Sequence, residues 1–132
     1  MNRLSVLPVL FLACLLAAGG APAQQQKPSE TPCGEFGTMA EARECAHREF
    51  KAADAELNAA YKQLAAKLDE ADKERLKAAE TAWLKYRDAN CEYENSFYAG
   101  GSMRPMIHSF CLARMTRART AELLQQAEDL EQ

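Results

Sequence analysis

Five cysteines are the residues of this chain with the clearest capacity for chemistry. They are Cys14, Cys33, Cys45, Cys91 and Cys111, and no two of them have the two-residue spacing of a CxxC motif. The last four are separated by gaps of 12, 46 and 20 residues, which match no common zinc ribbon. In a small exported protein an even set of cysteines indicates disulfides. The odd fifth cysteine therefore has to be accounted for first.

The N-terminal segment accounts for Cys14. Arg3 precedes an apolar run from Leu4 to Ala18, and Ala21-Pro22-Ala23 supplies a small-x-small ending. This pattern predicts a cleaved signal peptide over residues 1–23, and hence a periplasmic or secreted bacterial protein. Lipidation at Cys14 is the alternative that we favour less, because Phe11-Leu12-Ala13 has a small residue only at its last position. Cleavage would leave four cysteines and no transmembrane segment, since the apolar run is too short to span a bilayer.

Charge gives a first indication of the partner. Sixteen Lys and Arg against nineteen Asp and Glu give a formal charge of −3, which becomes −4 once Arg3 is removed. A nucleic-acid binder needs a basic face to neutralise phosphates, so we expect no nucleic-acid partner.

The carboxylates nearest to an arginine in the predicted helix register are Asp54 and Asp88, beside Arg87 and Trp83. They could serve as a pair of working carboxylates, but we interpret Asp54 and Arg87 as a structural ion pair, with Arg87 stacked on Trp83. We expect no catalytic residues.

Two thioethers and an imidazole lie close together at Met103, Met106 and His108. Soft ligands of this kind suit Cu(I), although methionines beside a helix start more often fill a core. Gly100-Gly101 has no following Lys-Ser/Thr and so forms no phosphate loop. We therefore expect neither metal nor cofactor, and keep metal handling as an alternative function.

Helical periodicity indicates an all-α fold. Residues 24–37 are expected to form a flexible linker and residues 38–132 the domain, which begins at a Thr38–Glu41 capping box. Apolar residues then recur at three- and four-residue intervals in two successive segments. They are Ala46, Phe50, Ala53, Leu57, Ala60, Tyr61, Leu64 and Leu68, followed by Leu76, Ala79, Trp83, Tyr86, Asn90, Tyr93 and Phe97.

Two architectures fit these segments. We favour an antiparallel hairpin with its turn near Glu70 and Asp69 as a helix cap, because one helix from Met39 to Phe97 would be unusually long. The glycines at Gly100-Gly101 then separate a third helix, with Pro105 in its first turn.

The hairpin gathers four cysteines at one end of the bundle. There we prefer the pairs Cys45–Cys111 and Cys33–Cys91, because Cys45 and Cys111 lie at similar depth. In a single long helix Cys45 and Cys91 would be about 70 Å apart, so only Cys33–Cys45 and Cys91–Cys111 could form. A disulfide map is thus expected to separate the two architectures.

The turn formed by Gly100, Gly101, Ser102, Met103 and Arg104 is the best candidate binding feature. It would be a protruding loop held beside the disulfide-tied end of the bundle, and rigid support of this kind lowers the entropy cost of binding. An ordinary helix connection is the alternative interpretation.

The whole pattern resembles the LprI-like lysozyme inhibitor family. The strings Asp-x-x-Leu-Asn-x-x-Tyr (54–61) and Trp-x-x-x-Arg-Asp-x-x-Cys (83–91) are its most specific parts, within a resemblance that covers residues 33–124. The other matching residues are Cys45, Leu76, Gly100, Gly101, Ser102, Cys111, Leu112, Thr116, Arg119, Glu122 and Leu123. One departure is Glu80, where the family often has Gln.

The resemblance implies a non-enzymatic protein of the bacterial envelope that inhibits lysozyme or a related peptidoglycan-lytic enzyme by binding to it. An acidic domain would be attracted to the strongly basic c-type lysozymes. The resemblance assigns no inhibitory residue, and it leaves the oligomeric state open. Besides metal handling or a stress role, a structural envelope module that assembles through its charged helices is an alternative.

Overall fold

The computed structural model describes Cys33 and residues 37–131, and nearly all of these residues are helical. The helices are α1 (Met39–Ala65), α2 (Glu70–Ser96) and α3 (Arg104–Asp129). They form an up-down-up bundle, which confirms the prediction of an all-α hairpin plus a third helix. The predicted signal peptide (residues 1–23) and residues 24–32 of the predicted linker lie outside the described residues.

The helix ends follow from capping residues. Thr38 Oγ1 accepts from the Glu41 N–H at 3.2 Å while Glu41 Oε2 accepts from the Thr38 N–H at 2.8 Å, so the predicted capping box is present. Asp69 caps α2 by accepting from the Asp72 N–H at 2.8 Å. The break between Ala65 and Glu70 excludes the single long helix.

Small side chains join α1 to α3, which run parallel. The Glu49–Arg117 ion pair joins residues 68 positions apart and so indicates their relative height. In this register three buried residues of α1 lie level with three buried residues of α3, each 67 positions later. The level pairs are Ala46 with Ala113, Ala53 with Thr120, and Ala60 with Ala127. Alanine and threonine at seven-residue intervals let the two backbones approach closely, and α1 packs mainly on α3.

α2 runs antiparallel to the other two helices and contacts them through larger side chains. Leu76 joins a core cluster with Leu57, Leu64 and Leu123, and half-buried Trp83 packs against this cluster. The polar contacts of α2 supply the rest of this interface and are described with the site below.

The preferred cysteine pairing was wrong. The disulfides are Cys33–Cys45 and Cys91–Cys111, with Cα–Cα distances of 5.8 and 5.6 Å. Cys91 and Cys111 each lie ten residues from Gly101, so the antiparallel hairpin of α2 and α3 places them level with one another. Depth along a helix did not decide the partner, because the side of the helix on which each cysteine lies also matters.

Both disulfides nevertheless lie at the end of the bundle where α1 and α3 begin, as the hairpin predicted. The Cys91–Cys111 pair packs with Leu112 against Phe50 of α1. The observed pairs are those expected for a single long helix, so the disulfide map does not separate the two architectures as we had expected. None of the three helices described here has an apolar stretch sufficient to cross a membrane.

Candidate functional site

The connection from α2 to α3 forms a tight turn at the disulfide-tied end. Gly100 has φ +78°, a conformation that residues with a Cβ rarely adopt. The Gly101 N–H donates to the Tyr98 carbonyl at 3.0 Å, and the Arg104 N–H donates to the Gly101 carbonyl at 3.3 Å. The five candidate binding residues, 100–104, therefore form one hydrogen-bonded turn.

Side chains beneath the turn fix it to the bundle. The buried Asn95 amide donates to the Arg104 carbonyl at 2.8 Å and accepts from Arg104 Nε at 3.1 Å. Arg104 Nη2 also donates to Glu92 Oε1 at 2.5 Å. Together with the Cys91–Cys111 bond, these contacts hold both ends of the connection.

What the turn exposes is mainly apolar. Phe97 is 70% exposed, and Tyr98 and Met103 are about 40% exposed. The positive charge of Arg104 in this turn is neutralised by Glu92. The surface therefore offers aromatic, thioether and backbone groups rather than a free positive charge.

Arg87 lies at the centre of the predicted ion pair and is almost fully buried. Its guanidinium lies 5.4 Å from the ring centres of both Phe50 and Trp83. Nη1 is 3.9 Å from Asp54 Oδ1, whereas Nε and Nη2 donate to Asp88 Oδ1 at 2.9 and 2.8 Å. Asp88 is thus the nearer carboxylate, and both acids that could have formed a catalytic pair lie beside one arginine.

A second buried ion pair was missed by the sequence analysis. Glu80 accepts from Arg119 Nε at 2.8 Å and from Arg119 Nη2, while Glu122 accepts from Arg119 Nη1 at 2.7 Å. Burial alone lowers the pKa of Arg119, but its hydrogen bonds to the two glutamates outweigh this effect and raise the pKa overall. The spacing of Leu76, Glu80 and Trp83 was the available signal, because it places Glu80 on the buried face of α2.

Arg114 and Glu94 form a third link between α2 and α3, at the surface. Arg114 Nη2 donates to both Glu94 carboxylate oxygens at 2.8 and 2.9 Å. This hydrogen bond is the main reason why the pKa of Glu94 is lowered from 4.5, against a smaller opposing effect of burial.

The three residues considered for copper occupy different surroundings. Met103 is exposed on the turn, while Met106 lines a shallow pocket with Cys33, Met39 and Phe110. His108 is half-buried in the second turn of α3. Within Cys33 and residues 37–131, no group of three or more His, Cys, Asp or Glu residues is placed to bind a metal.

A groove opens at the opposite end of the bundle and was not foreseen from the sequence. It has a volume of about 540 Å³ between the end of α1, the start of α2 and the end of α3. Leucines supply most of its apolar lining, and charged side chains also border it. The lining residues include Leu64, Leu68, Leu76, Leu130, Asp72, Arg75, Arg119 and Asp129.

Comparisons with known proteins agree with this fold. The chain is 40% identical over 130 residues to an uncharacterized protein of Rhizobium meliloti (strain 1021), covering 89% of this chain and 93% of the relative. It also resembles the crystal structure of a DUF1311 family protein from Pseudomonas putida KT2440, with a TM-score of 0.62 and 24% identity. That match covers 66% of this chain and 91% of the other, and shows a shared fold.

Family membership rests on the sequence profile described as "Lysozyme inhibitor LprI". It matches residues 33–123, from the first cysteine of the domain almost to the end of α3. The matched span contains both disulfides, the ion-paired Arg87 and Arg119, and the turn at residues 100–104. The chain belongs to the LprI lysozyme inhibitor family.

Proposed function

We propose that this protein is a non-enzymatic inhibitor that binds a lysozyme, or a related peptidoglycan-lytic enzyme, in the bacterial envelope. The observation that carries this proposal is the family match over residues 33–123. Export is part of the proposal, supported by the signal-peptide pattern of residues 1–23 and by two disulfides, which persist in oxidising compartments.

The turn at residues 100–104 is the binding surface that we assign to this function. A disulfide and the Asn95–Arg104 hydrogen bonds hold it, so it would lose little conformational freedom on binding. Exposed aromatic and thioether groups around it are side chains typical of interface centres. The acidic charge of the domain would speed its encounter with a basic enzyme.

The proposal is tested by titrating the oxidised protein into lysozyme acting on peptidoglycan. We expect turnover to fall with saturable dose dependence. Met103→Ala removes an exposed apolar side chain from the turn and should raise the inhibition constant about fivefold or more. Leu124→Ala is the matched control, because Leu124 is similarly exposed but lies on α3 away from the turn.

Two outcomes would contradict different parts of the proposal. Undiminished turnover by lysozymes of several types, with the inhibitor in micromolar excess, would overturn inhibition itself. Equal inhibition by the parent, Met103→Ala and Leu124→Ala would retain inhibition but remove the turn as its surface.

A further inference from the structure

The outward face of α2 carries an exposed apolar stripe that the described fold leaves uncovered. Tyr86, Tyr93 and Phe97 are 61%, 64% and 70% exposed, although aromatic side chains are usually buried more deeply. Tyr93 and Phe97 contact each other edge to face, with ring centres 5.2 Å apart. Three exposed alanines, Ala78, Ala82 and Ala89, continue the stripe along the helix.

The stripe is contiguous because its spacing is helical. Positions 78, 82, 86, 89, 93 and 97 follow one another at three- or four-residue intervals, so they occupy one face over about 28 Å. Within this face the aromatic residues lie along one edge and the alanines along the other. Along the helix axis, Ala78 and Ala82 occupy the N-terminal part of the stripe, whereas Tyr93 and Phe97 occupy its C-terminal part.

The positions of the rings and the alanines along the stripe are complementary to those of a second, antiparallel copy. When a second α2 is laid antiparallel about a two-fold axis near residues 87 and 88, Phe97 lies level with Ala78, Tyr93 with Ala82 and Tyr86 with Ala89 of the other helix. Each pair of positions has the same midpoint, so one register satisfies all of them. At the heights of Tyr93 and Phe97 the stripe of the other copy then presents only alanine, while the two Tyr86 side chains lie three residues apart in height across the axis.

Charge favours the same register. Lys85 and Glu92 lie on the alanine side of the stripe, seven residues apart and therefore on one edge. In the antiparallel register, Lys85 comes within two residues of Glu92 of the second copy, about 3 Å along the axis. Glu92 would then be shared between this lysine and Arg104 of its own chain. Symmetry produces this pairing of opposite charges twice.

A shallow depression on α2 matches the incoming aromatics. Ala78, Ala82 and Thr81 form its floor, and Glu74, Lys77 and Lys85 surround it. In this register Tyr93 and Phe97 of a second copy would lie level with Ala82 and Ala78, at the edge of this depression.

We propose that the protein forms a two-fold symmetric homodimer through antiparallel contact of the α2 stripes. The contact is isologous, since the same stripe serves both copies, and closed two-fold dimers are the commonest soluble oligomers. This inference does not depend on lysozyme inhibition, because it rests on the spacing, size and charge of α2 residues, although Phe97 is shared with the exposed surface around the turn.

The test is the self-association constant of the oxidised protein, measured by sedimentation over concentrations up to about 0.5 mM. Ala82→Tyr puts a ring opposite the ring of Tyr93, and Tyr93→Ala leaves a hollow. Each single variant should weaken association about tenfold or more, whereas Ala82→Tyr/Tyr93→Ala exchanges the two sizes and should restore it. Ala55→Tyr, at an exposed position of α1, is the matched control and should leave the constant within about twofold.

Circular dichroism melts establish that each variant is folded. A parent that stays monomeric throughout the range would overturn the proposal, and so would a dimer indifferent to Ala82→Tyr and Tyr93→Ala. Failure of the double variant to recover association would overturn the antiparallel register. Lysozyme titration of the same variants reports separately on inhibition.

Discussion

α3 packs on α1 through alanine and threonine side chains, whereas it is joined to α2 by ion pairs and a disulfide. The first interface brings two parallel backbones together over several turns. The second keeps α2 further away and fills the space with Arg119, Glu80 and Arg87. One small domain therefore relies mainly on small apolar side chains where two helix backbones approach closely, and mainly on paired charges and a disulfide where the backbones are further apart.

The largest effect is expected from removing one half of the buried pair between α2 and α3. Arg119→Met leaves Glu80 buried without its partner and should lower the free energy of unfolding by about 3–5 kcal/mol at neutral pH. Glu80→Leu/Arg119→Met removes both charges and should recover most of this loss. Guanidinium unfolding measures the free energy of unfolding of both variants. Equal losses of this free energy in the single and double variants would show that the two charges are not coupled.

The second-largest loss of stability is expected from removing the disulfide between α2 and α3. Replacing Cys91 and Cys111 by Ala opens a loop of 20 residues and should cost about 3 kcal/mol. The equivalent change at Cys33 and Cys45 opens a loop of 12 residues and should cost about 0.5 kcal/mol less. Thermal unfolding of the two variants gives the order, and a larger loss at Cys33–Cys45 would contradict it.

The α1–α3 interface should respond to added volume. Ala53 is fully buried between the two backbones, so Ala53→Leu should force them apart and destabilise the domain by about 1–3 kcal/mol. Ala52→Leu, at the exposed neighbouring position, should change stability by less than about 0.5 kcal/mol. Urea unfolding compares them, and tolerance of leucine at position 53 would mean that the helices are not in close contact there.

The smallest effect concerns the surface pair of Glu94 and Arg114. Arg114 lowers the pKa of Glu94 in the folded state, so the pair stabilises the folded protein. Its contribution to the free energy of unfolding is complete above the unfolded pKa near 4.5 and is lost as pH falls through the folded pKa. An exposed pair of this kind contributes less than about 1 kcal/mol. Glu94→Gln should therefore make the free energy of unfolding depend less on pH between neutral pH and about pH 3. An unchanged pH profile would show that other carboxylates dominate the acid limb.

Local signals predicted most of the fold. Thr38 with Glu41, Asp69, and Gly100-Gly101 mark helix boundaries through hydrogen bonds within a few residues, so the sequence alone locates them. Contacts between helices were harder to infer. The seven-residue alanine spacing of α1 and α3 was present, yet its meaning depends on which helix lies opposite.

The candidate site was predicted in part. Residues 100–104 do form one exposed turn, but neutralisation of Arg104 depends on Glu92, which is distant in sequence. The ion pair of Glu80 was missed, because its partner Arg119 lies 39 residues away in the sequence. Cysteine pairing failed for the same reason, since sequence spacing gives height along a helix more readily than the direction in which a side chain points.

Each disulfide joins cysteines that are consecutive among the four of the domain. In the export that we propose, the chain would enter an oxidising compartment from its N-terminus and would present Cys33 and Cys45 before Cys91 arrives. The first bond available to it is therefore a native one, and Cys91 then meets Cys111 as the next partner. Synthesis order and native connectivity coincide, so the protein can mature by simple oxidation, without disulfide reshuffling that takes seconds to hours.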